Sequence, residues 1–378
     1  MPKKLFALAL LFCICYNANG MNFPLNSDEN VYIQNPVISD YTVHDVSLIR
    51  YKNAFYAFAS CVVHRDKMKK LNYVSVQIFK STNLVDWEYY KQATFDDYKN
   101  ELYASDEAQK KYQIWAPDII RYKDKLLLFV AFRHTFDDSL IAVFESDDIS
   151  HDFVFKNVVV SNNKRDARAF FPTREIIDPY PFVYKNKLFL VFGSFSRNDK
   201  GKMWGNRKGI GTYIVPLVYG DEISMKGEPV FISDYYEGVN IQRHGNYFFL
   251  FGTNGVLSNH TYKIDYAKSK NIMGPYKNAN RKQINDTVNI NLGTPILYTR
   301  NAKSQFNGFG CLSNMITDND GRTFVLVHGH DLNKKPIQMK TPQSERYAFL
   351  LEILWDKYGN PYFDMDAIQN NGIKKPTF

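Results

Sequence analysis

Cysteine is scarce in this chain of 378 residues: it contains four, and two of those lie in an apolar segment near the N-terminus. The remaining pair, Cys61 and Cys311, is too small a set for the disulfide framework that stabilises compact secreted domains. The two side chains either form one bridge or remain buried thiols. Stability must therefore come from a hydrophobic core, which a chain of this length supplies as one large domain or as two.

Long apolar runs are also missing. The longest covers residues 5–15, after two lysines and before small residues at a cleavage position. This order is typical of a secretory signal peptide, and the run is too short to span a bilayer. We therefore predict that residues 1–20 are a signal peptide and that residues 21–378 are secreted or periplasmic, without a transmembrane segment. The alternatives are a buried N-terminal helix and a lipoprotein anchored through Cys13 or Cys15, which a poor lipobox disfavours.

Charge is not concentrated anywhere along the chain. The formal net charge is +8, and removing the first 20 residues, which carry two lysines and no acid, leaves +6. A surface that binds nucleic acid requires clustered lysine and arginine, and the sequence shows no such cluster. Nucleic acid is therefore not expected as a partner.

What the sequence does contain is a repeat. Five segments share one plan: a polar or acidic start, a short apolar stretch, a turn, and an aromatic-rich strand that ends in small residues. Turn sequences such as Tyr-Lys-Asn and Asn-Asp-Gly between two apolar stretches predict a β-hairpin in each segment. The five segments begin at Asp45, Ala116, Asp178, Glu237 and Cys311.

The spacing of the segments predicts the fold. Successive starts are 71, 62, 59 and 74 residues apart, which is room for a four-stranded blade with its loops. Long helical periodicity is nearly absent. We therefore predict an all-β fold, a five-bladed β-propeller that residues 21–378 form as a single domain. A β-sandwich is the alternative, but it gives no reason for the same hairpin to occur five times.

Three of the five segments begin with an acid: Asp45, Asp178 and Glu237. The first residues of the innermost strands surround one mouth of a propeller, so a common register would bring these acids into one funnel. Hydrolysis of a glycosidic bond needs a carboxylic acid that protonates the departing oxygen and a carboxylate that activates water or attacks carbon. Crowding moves the pKa values of such groups apart, so that one stays protonated near neutral pH. The predicted chemistry is glycoside hydrolysis.

In these segments the sequence resembles glycoside hydrolase family 43, whose five-bladed propellers include arabinanases, α-L-arabinofuranosidases and β-xylosidases. The resemblance implies that Asp45 is the general base, Glu237 the general acid, and Asp178 the residue that orients the acid and raises its pKa. It also implies inversion, with the two working carboxyl groups about 6.5–9.5 Å apart. The matching segments are Val43-His44-Asp45, Trp115-Ala116-Pro117-Asp118, Ile177-Asp178-Pro179, Glu237-Gly238, Ala267-Lys268-Ser269, Gly274-Pro275-Tyr276 and Val327-His328.

The funnel also supplies candidate substrate-binding residues. Trp115 offers a ring to a sugar face and Asp118 a hydrogen bond to a hydroxyl, although both positions would equally serve to pin blade 1 to blade 2. The complete set predicted to bind substrate is His44, Trp115, Asp118, Tyr180 and Ser194.

The sequence departs from the family in three places. Val46 and Val239 stand where the family has proline, and Gly308-Phe309-Gly310-Cys311 stands where arabinanase-like members have Gly-Pro-Gly-His. That histidine contacts a central calcium or its water shell, whereas calcium prefers oxygen ligands and a thiol is a poor replacement. No metal and no cofactor is therefore predicted. His328 is left as the axial histidine candidate, or as a core histidine.

The predicted function is a secreted glycosidase that hydrolyses O-glycosyl bonds in plant-type polysaccharides or oligosaccharides containing arabinose or xylose. An arabinanase or α-L-arabinofuranosidase is favoured over a β-xylosidase. The alternative is a non-catalytic carbohydrate-binding propeller, against which the retention of all three acids argues. Five-bladed fructan hydrolases place a nucleophile in an Asn-Asp-Pro setting, which His44-Asp45-Val46 does not match. Endo and exo cleavage both stay open, because loops at the groove ends decide between them.

Overall fold

The computed structural model describes residues 31–64, 75–95, 113–135, 138–173, 175–194, 196–197, 203–204, 211–234, 236–256, 260–286, 289, 291–299, 303–334 and 345–378. The predicted signal peptide lies outside these residues. Strands dominate, and one short π-helix, Ala367–Asn371, follows the last blade. No helix within the described ranges is long and apolar enough to cross a membrane.

The first two blades are four-stranded antiparallel sheets in which successive strands are neighbours. Strand β1 (Tyr32–Ile33) precedes them. Blade 1 consists of β2 (Tyr41–Tyr51), β3 (Ala54–His64), β4 (Ser75–Ser81) and β5 (Glu88–Thr94). Blade 2 consists of β6 (Gln113–Tyr122), β7 (Lys125–Thr135), β8 (Asp138–Ser146) and β9 (Val154–Ser161).

Blades 3 to 5 follow the same plan with additions at their edges. The sheet of blade 3 contains β10 (Ile177–Tyr184), β11 (Lys187–Ser194), β14 (Gly211–Tyr219), β15 (Ile223–Met225) and β16 (Val230–Ser233), and β14 pairs with both β15 and β16. Between β11 and β14 the chain forms a separate hairpin of β12 (Ser196–Arg197) and β13 (Met203–Trp204). Blade 4 contains β17 (Glu237–His244), β18 (Tyr247–Asn254), β19 (Lys263–Ser269) and β20 (Thr294–Leu297). Blade 5 contains β21 (Phe306–Gly310), β22 (Ile316–Thr317), β23 (Thr323–Asp331), β24 (Tyr347–Trp355) and β25 (Pro361–Tyr362), with β21 and β22 both on β23.

The two ends of the chain meet and close the ring of blades. Strand β1 pairs antiparallel with β26 (Ile373–Lys374). The side-chain amide of Asn35 donates to the carbonyl of Leu350 and accepts from its N–H, both at 2.9 Å. The N–H of Val43 in β2 donates to the carbonyl of Arg346 at 2.8 Å. These contacts join blade 1 to blade 5, and the prediction of a five-bladed propeller is confirmed.

The core lies between the blades. Buried residues form clusters shared by blades 1 and 2, by blades 2 and 3, by blades 3 and 4, and by blades 4, 5 and 1. The second strand of a blade is covered on both faces, which is why β7 and β11 are almost continuously apolar. Each large side chain buried in this way contributes about 1.5–3 kcal/mol. Cys311 is a free thiol, so the alternative of a Cys61–Cys311 bridge is wrong.

The innermost strands of blades 1 to 4 each contain a β-bulge at the same place, and in blade 5 the regular pairing of β21 ends at the equivalent place. The residues just before these sites pair with the second strand as follows: His44 with Ser60, Trp115 with Ala131, Ile177 with Gly193, Glu237 with Thr253, and Gly310 with His328.

These pairings correct the register predicted for the acids. Glu237 is equivalent to His44 and therefore stands one residue ahead of the position that Asp45 and Asp178 occupy. The reason is the hairpin turn. In blade 4 the hairpin turn covers residues 245–246. The repeat plan instead places residues 244–245 at the position of the turns 52–53 and 185–186.

Candidate active site

A left-handed residue follows each of these five positions. The backbone angle φ is 52° at Asp45, 41° at Ala116, 52° at Asp178, 54° at Gly238 and 49° at Cys311. This conformation costs a residue with a Cβ atom roughly 1–2 kcal/mol, so its presence in all five blades indicates a geometry that the fold requires. Bulges bend a strand and re-aim its side chains. We call these five residues the bulge ring.

Neighbouring members of the bulge ring touch one another. The N–H of Gly238 donates to Oδ2 of Asp178 at 2.9 Å, and the Cys311 thiol donates to Oδ1 of Asp45 at 3.3 Å. A Cβ atom on Gly238 would lie 2.5 Å from Sγ of Cys311. Blade 4 therefore has no room for a side chain at its ring position, and its acid stands one residue earlier, at Glu237.

Asp178 shows that the three predicted catalytic acids lie close together. Burial raises the pKa of Asp178 well above its usual value, and the negative charges of Asp45 and Glu237 raise it further. The hydrogen bond from Gly238 acts in the opposite direction without cancelling these effects. The contacts of the bulge ring agree with this proximity, because Gly238, next to Glu237, donates to Asp178 and packs against Cys311, which donates to Asp45.

Glu237 is held by a phenol. The hydroxyl of Tyr262, the residue before β19, donates to Oε2 of Glu237. Burial and the charge of Glu237 raise the pKa of Tyr262 well above its usual value, so the phenol stays protonated and remains a donor. This hydrogen bond fixes the orientation of the carboxyl group at the start of β17.

Asp45 lies among different groups. The Ser60 hydroxyl donates to its Oδ2 at 3.2 Å. Nδ1 of His328 lies 3.6 Å from Oδ1, and Nη1 of Arg346 lies 3.9 Å from the same oxygen. The Asp45 side chain is 23% exposed, which leaves it accessible to water.

Arg346 joins two histidines into a buried network beside Asp45. Its Nη1 lies 2.8 Å from Nε2 of His328 and its Nη2 lies 2.7 Å from Nδ1 of His44. A guanidinium only donates, so both imidazoles accept at these atoms. Burial, and after it the charge of Arg346, lowers the pKa of His328 well below its usual value. His328 is therefore neutral, and Arg346 supplies the positive charge next to Asp45.

The residues on this side do not fit calcium. Within the described part of the chain, one group of His, Cys, Asp and Glu side chains brings potential ligand atoms together: Asp45, Cys311 and His328, with those atoms within 4.8 Å of one another. Calcium takes about six to eight oxygen ligands. This group offers one carboxylate beside a thiol and an imidazole, and the guanidinium of Arg346 adds a competing positive charge.

Two predicted substrate-binding residues make contacts that join blades. Oδ1 of Asp118 accepts from the Ser47 hydroxyl at 2.8 Å, which links blade 2 to blade 1, and burial raises the pKa of Asp118. Tyr180 is 4% exposed, and its hydroxyl lies 2.9 Å from Oδ1 of Asn314 and 3.1 Å from the carbonyl of Ile241. These positions suit blade pinning, the other role that the sequence left open for Asp118.

The remaining predicted binding residues lie between blades 2 and 3 and beside Arg346. Ser194 is fully buried and its hydroxyl is hydrogen-bonded to that of Thr173. The guanidinium carbon of Arg133 lies 4.6 Å from the centre of the Trp115 ring and covers one of its faces. His44 is bonded to Arg346, as described above. A direct contact of these residues with sugar stays a prediction.

Two residues that contact the acids, Arg346 and Tyr262, were not predicted from the sequence. Both stand just before the third strand of a blade, β24 and β19 respectively. In an antiparallel sheet the first and third strands run in the same direction, so residues ahead of either strand reach the same mouth of the channel. The repeat pattern marks only the starts of the innermost strands and therefore does not point to these two residues. A lone charged or hydroxyl-bearing residue directly ahead of a third strand is the signal that could have found them.

Sequence comparison places this chain among known families. The family model described as "Glycosyl hydrolases family 43" matches residues 33–361. The chain is 24% identical over 201 residues to the extracellular endo-α-(1→5)-L-arabinanase 2 of Bacillus subtilis (strain 168), covering 49% of this chain and 40% of that protein. It is 25% identical over 328 residues to the extracellular endo-α-(1→5)-L-arabinanase of Thermotoga petrophila, covering 74% of this chain and 62% of that protein. The chain thus matches about half the length of these relatives.

Solved structures share the fold. An endo-arabinanase from Bacillus licheniformis superposes with a TM-score of 0.64 at 19% identity, covering 86% of this chain and 98% of that one. A xylan β-1,4-xylosidase from Bacillus halodurans C-125 superposes with a TM-score of 0.64 at 16% identity, covering 91% of this chain and 57% of that one. At these identities the likeness establishes the propeller and leaves the substrate undetermined.

Proposed function

The chain belongs to glycosyl hydrolase family 43, and on this premise we propose that it is a secreted glycosidase that hydrolyses arabinose-containing polysaccharides with inversion. One observation supports the proposal: the bulge ring brings together carboxyl groups from blades 1, 3 and 4, because Gly238, next to Glu237, donates to Asp178 at 2.9 Å and lies against Cys311, whose thiol donates to Asp45 at 3.3 Å. Crowding of carboxyl groups opposes their ionisation, and glycoside hydrolysis is a reaction that requires such a pair.

The proposed roles follow from the neighbours of each acid. Asp45, exposed to water and next to the guanidinium of Arg346, takes a proton from the attacking water. Glu237, held by Tyr262, gives its proton to the departing glycosidic oxygen. Asp178 touches neither reacting bond in this scheme. It orients the start of β17 through Gly238, and Asp178 and Glu237 oppose each other's ionisation. We expect the carboxyl groups of Asp45 and Glu237 to lie about 6.5–9.5 Å apart, which is the spacing that admits a water molecule.

The substrate class rests on the relatives. Two of them are named endo-α-(1→5)-L-arabinanases, and both are named extracellular. We therefore propose α-1,5-linked arabinan or its oligosaccharides as substrate, ahead of xylan. We also propose that residues 1–20 are removed on export. N-terminal sequencing of protein recovered from the medium or periplasm would then begin at Met21.

The proposed activity is tested by a screen on three substrates. Purified protein is incubated with debranched arabinan, an aryl α-L-arabinofuranoside and an aryl β-D-xyloside, and NMR follows the anomer that is released first. We expect cleavage of arabinan with an inverted first product, and the lengths of the products then separate endo from exo cleavage. Binding of arabino-oligosaccharides without hydrolysis of any of the three would overturn the proposal in favour of a carbohydrate-binding propeller.

We also propose that the hydrolase works without calcium, because its axial donors do not suit that ion. Treatment with a calcium chelator should leave the hydrolysis rate and the melting temperature nearly unchanged. A large loss of either that added calcium restores would contradict this.

A further inference from the structure

Three potential metal ligands from blades 1 and 5 converge beside the bulge ring. They are a carboxylate oxygen of Asp45, Sγ of Cys311 and a ring nitrogen of His328. Sγ lies 3.3 Å from Oδ1 of Asp45, and Nδ1 of His328 lies 3.6 Å from the same oxygen. We propose that these side chains form a Zn²⁺ site and that bound Zn²⁺ inhibits the enzyme by occupying Asp45. The inhibitory part rests on the proposed function, in which Asp45 is the base.

The geometry suits a tetrahedral ion. With Zn–S near 2.3 Å and Zn–N or Zn–O near 2.0 Å, neighbouring ligand atoms of a tetrahedral zinc site are about 3.3–3.6 Å apart. The two separations given above fall in this range before any ion is bound. Both edges of the tetrahedron that meet at Asp45 therefore already have the required length. Ligation through Nδ1 of His328 also requires the ring to carry its proton on Nε2, so the contacts from Arg346 to Nε2 at 2.8 Å and from the N–H of Asp45 to Nδ1 at 3.3 Å must give way to the ion.

The donor set selects for zinc over the hard cations. A thiolate, an imidazole and a carboxylate together are typical of zinc, whereas calcium and magnesium require oxygen. Three protein ligands leave a fourth position for water. On binding, the Cys311 thiol loses its proton to solvent as the Zn–S bond forms, and the metal takes the Asp45 oxygen that would otherwise accept a proton from water.

Access and charge indicate a reversible site. His328 is fully buried, but the Asp45 side chain is 23% exposed, so an ion can enter from the carboxylate side. The guanidinium of Arg346, 3.9 Å from Oδ1 of Asp45, repels a divalent cation and lowers its affinity. The site is thus expected to exchange Zn²⁺ with solvent and to act as an inhibitory site.

The experiment separates metal binding from catalysis. Co²⁺ serves as a spectroscopic probe, because a thiolate ligand gives it an intense charge-transfer absorption. The band should appear in the wild-type protein and in Cys61→Ser, the matched control, and should be absent from Cys311→Ser. Zn²⁺ should displace Co²⁺ and abolish the band.

Hydrolysis is then titrated with Zn²⁺, and each variant is normalised to its own rate in chelator. Loss of an outer-shell partner alone costs about 10–100-fold in metal affinity, so loss of the Sγ ligand should raise the inhibitory Zn²⁺ concentration at least 10-fold. Chelator should restore the wild-type rate. A wild-type protein without the cobalt band, or a Cys311→Ser variant as zinc-sensitive as wild type, overturns the site. A band that depends on Cys311 in a protein without hydrolase activity upholds the metal site and overturns its inhibitory role together with the proposed function.

Discussion

Asp45 and Glu237 lie at the same mouth of the propeller, yet their neighbours differ in kind. Asp45 has a thiol, a neutral imidazole and a guanidinium around it, all from blade 5, with Nη1 of Arg346 at 3.9 Å. Glu237 has a phenol, Tyr262, and lies close to the desolvated carboxyl of Asp178. Positive charge is thus placed where a base must keep its negative charge, and a second carboxyl group, whose ionisation and that of Glu237 oppose each other, is placed near the group that must hold a proton.

The comparison shows how one residue type is given two tasks. Two carboxyl groups in one cleft take opposite roles when their environments favour opposite protonation states. Here the innermost strands supply the acids, Arg346 supplies positive charge next to Asp45, and the carboxyl of Asp178 opposes ionisation of Glu237, which Tyr262 orients.

The largest expected effect separates the two acids by leaving group. Glu237→Gln removes a proton donor and keeps its shape, so hydrolysis of arabinan should fall by about 10²–10⁴-fold. An aryl arabinofuranoside with an acidic phenol should be affected far less, because its leaving group needs little protonation. Asp45→Asn removes the base, so both substrates should lose activity together. The rates of both variants on both substrates are the measurement.

The outcome is informative in either direction. If Asp45→Asn spares the activated substrate and Glu237→Gln does not, then Asp45 is the acid and Glu237 the base, opposite to the assignment made here. Binding of arabino-oligosaccharide, followed by calorimetry, is the control, because both substitutions should leave it within a few-fold of wild type.

The propeller could be predicted from the sequence because its signal is local. Each hairpin carries its own turn and its own apolar strands, and five copies at similar spacing leave few other folds. The register of Glu237 could not be obtained in the same way. It depends on whether the turn of blade 4 covers residues 244–245 or 245–246, and Gly245 is compatible with both.

The surroundings of the two acids were harder to predict. Arg346 lies 301 positions from Asp45 in the chain, and the two meet only because blade 5 closes on blade 1 through β1, β26 and Val43. No pattern near Arg346 carries that information. The sequence shows that Cys311 is a poor calcium ligand, but its place beside Gly238 and Asp45 follows only from the backbone angles of the bulge ring.

The second prediction tests the base side. Arg346→Met removes the positive charge next to Asp45 and two hydrogen bonds to imidazoles, so kcat should fall about 10–100-fold, which corresponds to roughly 1.4–2.8 kcal/mol and is below the ~4 kcal/mol Coulomb limit for a pair at this distance. KM should change little, and Arg346→Lys should recover part of kcat. A merely structural role would lower the melting temperature without moving the pH profile of kcat. Equal kcat in Arg346→Met and wild type would contradict the role assigned to this charge.

The smallest expected effect concerns the stability of the acid side. Because the folded-state pKa of Asp178 is raised, first by burial and then by Asp45 and Glu237, its ionisation opposes folding. The bound proton of Asp178 therefore contributes to the free energy of unfolding. This contribution is fully present below the pKa of Asp178 in the unfolded chain and is lost as pH rises through its pKa in the folded protein. Asp178→Asn cannot ionise and still accepts from Gly238. The variant and the wild type should therefore be similarly stable in acid, and the variant should become more stable than the wild type towards neutral pH, by on the order of 1 kcal/mol.

Asp148 is a control with the opposite pH dependence. Hydrogen bonds from Lys52 and Ser150 lower its pKa, so Asp148→Asn should be less stable than the wild type above the unfolded pKa, and this difference should shrink in acid. Urea unfolding of the three proteins between acid and neutral pH measures both slopes, and parallel curves for Asp178→Asn and wild type would show that Asp178 does not carry the repulsion described here.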